Sequence, residues 1–151
     1  MALYAVTVDG VALVAATAKT LLEITSGAQD RVKIVEWWID FDGASGTAVP
    51  VKVEAERFSA AVTTATTATP DPLDGSDGTA TATVKVTTTT EGAGTPTAYS
   101  GWIKRVHPQG SFHYQAPLGR ELILPKGGAF WRIRATAAAA VNATFGVIFE
   151  E

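Results

Sequence analysis

RVKIVEWWIDF, Arg31 to Phe41, runs eleven residues without a glycine or proline. β-Branched and aromatic side chains dominate it, and these fit a pleated surface better than a helix. In simple alternation, Lys33, Val35, Trp37, Ile39 and Phe41 line one face. Val32, Ile34, Glu36, Trp38 and Asp40 line the other. Each face then carries apolar groups. A strand with one side in the core and the other under a neighbouring subunit reads this way. So does a strand within one sandwich whose outer face is half covered by a loop.

The flanking segments repeat the pattern. Leu3 to Val8 and Val11 to Ala15 flank Asp9-Gly10, a pair that tolerates positive φ and signals a hairpin. Thr20 to Thr25 is a further short strand, ended by Ser26-Gly27. Val49 to Phe58 alternates Val49, Val51, Val53 and Ala55 inward with Lys52, Glu54 and Glu56 outward, the pattern of a half-exposed strand. Pro50 belongs at an edge or near the strand start. Residues 68–79, rich in Pro, Asp and Gly, form a long exposed loop. Thr79 to Thr90 resumes β structure. WIKRVH (Trp102 to His107) and SFHYQ (Ser111 to Gln115), separated by Pro108-Gln109-Gly110, predict a tight hairpin that brings His107 near His113. Arg120 to Leu124, Ala129 to Thr136 and Asn142 to Glu150 complete eight to ten strands. Ala135 to Val141 reads as a loop. Turn signals between many short strands predict one domain, 1–151, with an all-β, jelly-roll-like antiparallel β-sandwich fold.

Composition narrows the function. The 151 residues include no Cys, so disulfides, thiolate nucleophiles and Cys-based zinc sites are excluded. A net charge of -3 argues against nucleic acid, whose binders are usually basic. Met1 to Thr20 lacks the features of a secretion leader, so the sequon Asn142-Ala143-Thr144 carries no weight. No apolar run reaches the ~20 residues of a membrane span.

Catalytic patterns are not evident. His107 and His113 lack a third ligand for zinc. Asp71, Asp74 and Asp77 do not follow calcium-loop spacing, and Asp is a turn former. No nucleophile elbow occurs, and Glu36, Glu54 and Glu56 look like ordinary strand carboxylates. The expectation is no enzyme, no catalytic residue, no cofactor and no metal. Trp37, Trp38, Trp102 and Trp131 lie in strands, so core or subunit interface is the expected role. Stacking on sugar rings is the rival.

MALYAVTVDGVALVAATAKTLLEI, RVKIVEWWIDFDG, RVHPQGSFHYQAPLGRELILPKGG and FWRIRATAAAAVNATFGVIFEE together resemble the head decoration (capsid-stabilising) proteins of tailed bacteriophages. The resemblance covers nearly the whole chain outside Pro70 to Gly78. It implies a jelly-roll-like sandwich that assembles as a homotrimer on the outer capsid surface. There it would bind the major capsid protein, after synthesis in the bacterial host cytoplasm, with no nucleic-acid or membrane partner. Trp37, Trp38, His107, Tyr114, Phe130 and Trp131 are then the candidate interface residues, and the arm Met1 to Tyr4 is a candidate to reach a neighbour. The alternatives are a tail or connector component of the virion, a carbohydrate-binding jelly-roll module and a cupin-like enzyme; two His make the last improbable.

Overall fold

A computed structural model describes residues 1–97 and 102–151. Every regular element among them is a strand: β1 (Leu3–Leu13), β2 (Ala18–Thr25), β3 (Val32–Phe41), β4 (Val51–Phe58), β5 (Thr64–Ala68), β6 (Asp71–Pro72), β7 (Thr83–Thr90), β8 (Trp102–Val106), β9 (Ser111–Gln115), β10 (Leu122–Leu124), β11 (Phe130–Thr136) and β12 (Val141–Glu150). The first sheet runs β10-β3-β12-β1-β6, with β9 also on β3, and the second runs β5-β7-β2-β11-β4-β8. Setting aside β5, β6, β7 and β10, the remaining strands alternate between the sheets except at β4 and β8, which follow one another in the second sheet and pair there. The orders become β1-β12-β3-β9 and β2-β11-β4-β8. That is a jelly roll, two Greek keys wound into a sandwich. The segment holding β5 to β7 is inserted between its fourth and fifth strands.

The core lies between the sheets. Trp37 and Trp131 meet edge to face there, centroids 6.4 Å apart and both essentially fully buried. Phe145, Val147 and Phe149 of β12 and Leu21, Leu22 and Ile24 of β2 fill the space around them. Burying each such side chain contributes about 1.5–3 kcal/mol.

The central strand β3 departs from simple alternation. On β12, Phe149 faces Ile34 while the next residue inward, Ile148, faces Glu36, so Val35 is an extra, bulged residue. A bulge resets the side-chain phase. Val32, Ile34, Trp37, Ile39 and Phe41 therefore all point into the core and are buried. The two-sided apolar character of Arg31 to Phe41 reflects this bulge, so a covering subunit is not needed to explain it.

Two turn signals and the N-terminal arm resolve differently from expectation. Asp9-Gly10 makes no hairpin: β1 continues through it, and both halves pair with β12 across a register shift between Val8 and Val11. Gly10, at φ 67°, supplies the bulge. Pro108-Gln109-Gly110 also closes no hairpin, since β8 pairs with β4 and β9 pairs with β3, and the turn carries the chain from one sheet to the other. The arm Met1 to Tyr4 does not reach outward. The Ala2 N–H donates to the Glu151 carbonyl at 2.9 Å, and Leu3 and Tyr4 pair with β12. Residues 68–79 are mostly exposed, with β6 tacked onto β1 and the Tyr4 hydroxyl donating to the Gly78 carbonyl at 3.0 Å.

Candidate functional site

The candidate interface residues separate into core and surface. Trp37 and Trp131 are 1% and 0% exposed, so neither has surface to give a partner, and both are corrected to core residues. Tyr114 and Phe130 are half-buried, Trp38 is half-buried, and His107 is exposed. His107 and His113 are not brought together. His107 sits at the sheet-crossing turn, its Nδ1 accepting from the Gln109 N–H at 3.1 Å. His113 lies on the outer face of β9 with Nε2 2.7 Å from Glu36 Oε1.

An aromatic cluster runs from the core to the open edge where β8 and β9 face each other. Trp37 contacts Phe112 and Tyr114 at centroid distances of 5.1 and 6.4 Å, and Tyr114 contacts Trp102 at 4.8 Å. The strand register creates this. Trp102 and Lys104 of β8 lie opposite Ala55 and Val53 and so face inward, while Phe112 and Tyr114 of β9 lie opposite Ile39 and Trp37 and do the same. Lys104 Nζ caps the cluster, 5.4 Å from the Phe112 ring and 5.9 Å from that of Trp102. Trp102 remains 40% exposed and Ile103 53%. β8 ends the second sheet, and its outer side has no strand partner among the described residues. An edge strand with free backbone groups and exposed apolar side chains is a ready contact surface.

A second exposed apolar group crosses one end of the first sheet's outer face. Register aligns Leu3 of β1, Glu150 of β12, Lys33 of β3 and Ile123 of β10, with Leu73 bonded to the Leu3 carbonyl. The Lys33–Glu150 ion pair, at 3.0 Å, interrupts this row, so it is not a continuous apolar patch.

The outer face of the second sheet is polar yet buried. Glu54 and Glu56 were expected outward and solvated; they are 4% and 2% exposed. Burial pushes the Glu56 carboxyl up, and the neighbouring Glu54 adds to the effect. Burial acts on Glu54 too, but hydrogen bonds from Lys52 at 2.7 Å and Arg134 at 3.1 Å outweigh it and hold that carboxyl below its usual range. Beside them Arg132 Nε donates to Glu23 Oε2 at 2.7 Å, and the Val62 N–H donates to the same oxygen at 2.9 Å. Arg132 Nη2 also donates to the Ala60 carbonyl. This pair pins the start of the inserted segment onto the sheet. The Arg132 and Arg134 guanidinium groups stack over Phe58, at 4.3 and 5.0 Å.

Among the described residues no group of three or more His, Asp or Glu is placed to hold a metal ion. Trp102, Ile103 and Phe112 were absent from the sequence-based interface set. The available signal was Ile103 on the polar phase of WIKRV, an apolar side chain beside Lys104 and Arg105. No protein-family model matches the chain, and no curated protein and no solved structure matches it.

Proposed function

We propose that this protein is a structural subunit of a phage virion, a head decoration protein that attaches to the outer capsid surface. The aromatic β8/β9 edge is the observation that carries this reading. It presents Trp102 and Ile103 to solvent on a sheet-edge strand whose outer side has no strand partner among the described residues, and it is backed by rings that reach the core. Such anchored aromatics resemble interface hot spots, where a few rigid residues supply most of the energy. The resemblance of the chain to decoration proteins supplies the partner, the major capsid protein, and the trimeric state.

Decoration works by repetition. One contact of standard size buries about 1,600 Å² in total, and a trimer that engages several capsid subunits at once gains avidity without new contacts. Lys104 and Arg105 make the edge locally basic on a chain of net charge -3, which steers it towards an acidic patch on the shell. The test is co-sedimentation with undecorated heads, comparing the native chain with Ile103→Asp. Saturable binding by the native chain that the variant loses supports the reading. Equal binding by both places the contact elsewhere, and no binding by either overturns the reading.

A further inference from the structure

The outer face of the first sheet carries a second arrangement of groups, separate from the β8 edge. Trp38 projects from it over Gly146 of β12. A Cβ on that glycine would lie 2.2, 2.6 and 2.7 Å from three atoms of the six-membered ring of Trp38. The indole therefore lies in contact with bare backbone, and only a glycine leaves it that seat. His113 meets the same ring edge-on, centroids 6.5 Å apart at 81°. Glu36, Trp38, Asp40 and His113 line a shallow depression of about 310 Å³.

We propose that this depression binds a neutral pyranose sugar, stacked on Trp38. A pyranose offers a C–H face and a rim of hydroxyls. The negative face of an indole attracts the C–H groups, and the ring is already held flat enough to serve as a platform. Glu36 and Asp40 stand two residues to either side of Trp38 on the same strand face, each about 6.6 Å away along the strand. They flank the platform at both ends, where carboxylates accept hydroxyl hydrogens in charge-assisted bonds. The Asp40 carboxylate is exposed and has no hydrogen-bond or ion-pair partner among the described residues. Ser111 lies opposite Asp40, and Gln115 opposite Glu36, which adds further donors and acceptors on the β9 side. Two carboxylates beside the ring disfavour sialic acids, uronic acids and phosphorylated sugars. A quaternary ammonium ligand wants several aromatic walls, and this site offers one indole face.

The inference does not depend on capsid binding. The test uses the full chain on an array of neutral and anionic glycans, followed by calorimetric titration of the best neutral oligosaccharide. Native protein binds a neutral glycan. Trp38→Ala and Asp40→Asn each weaken that binding about tenfold or more, while Ile103→Asp leaves it unchanged. Gly146→Ala, which displaces the ring without removing it, also weakens it. Asp40 is exposed, so Asp40→Asn remains informative if Trp38→Ala folds poorly. An empty array, binding confined to anionic glycans or cations, or full binding by Trp38→Ala and Asp40→Asn overturns the proposal.

Discussion

Arg132→Met is the perturbation with the largest effect that the fold predicts outside the apolar core. Arg132 and Glu23 are 1% and 0% exposed, and their 2.7 Å ion pair sits beneath the segment holding Ala60 and Val62. Methionine fills much of the same volume but leaves the Glu23 carboxylate buried without its cation. Breaking a buried pair in this way costs about 3–5 kcal/mol. For a chain of this length each kcal/mol lowers Tm by about 2–4 °C, so Tm falls by about 6–20 °C. The companion variant Glu23→Gln/Arg132→Met removes both charges and keeps an acceptor for the Val62 N–H. It recovers at least half of the loss, because the penalty lies in the orphaned charge more than in the missing attraction. Urea denaturation of both variants and the native chain, with Tm from calorimetry, provides the assay. A loss below about 1 kcal/mol for Arg132→Met would show that water or rearrangement relieves Glu23. A double variant no more stable than the single one would refute the orphaned-charge argument.

Other outcomes follow from the same geometry. Trp37→Ala costs about 3–5 kcal/mol in urea denaturation, whereas Trp38→Ala on the adjacent position costs less than half as much, because its ring is only partly buried. Glu56→Gln stabilises the protein at pH 7. The folded-state carboxyl is pushed up, so its favourable contribution is present at acidic pH and lost as pH rises; the gain from Gln shrinks below the ordinary carboxylate range in thermal melts across pH. Glu54 has the opposite sign. Its pairing with Lys52 and Arg134 stabilises the fold above the ordinary carboxylate range and is lost on acidification, so Glu54→Gln destabilises at pH 7 and less so near pH 3. Ile103→Asp leaves Tm within about 1 °C of native, since the side chain is exposed.

The fold class was legible because alternation and glycine punctuation survive in almost every strand. RVKIVEWWIDF, AFWRIRAT and NATFGVIFE all became strands. Legibility failed where one residue broke the phase. Val35 bulges, and Trp37 and Ile39 thereby join Val32 and Ile34 on the core side; alternation read from residue types cannot see a bulge without the partner strand's register. Asp9-Gly10 and Pro108-Gln109-Gly110 carry turn chemistry, yet a jelly roll uses such residues for bulges and sheet crossings as readily as for hairpins. That choice depends on which strands pair at long range. Burial of Arg132 was equally invisible, because the inserted segment that contributes Ala60 and Val62 to its network with Glu23 lies outside its own strand. Of the surface, Tyr114 and Trp38 were found by aromatic character. Trp102 was expected only in the core or at an interface, and its place on an open edge, with Ile103, emerged when β8 proved to be the terminal strand of its sheet.

Binding to undecorated heads tests the central claim most directly. Undecorated phage heads are sedimented with increasing amounts of this chain, and the bound fraction is quantified. Saturation at a fixed ratio to capsid subunits, by a species of three times 15.7 kDa in light scattering, is the predicted result. A chain that stays monomeric and remains in the supernatant at every concentration would contradict it.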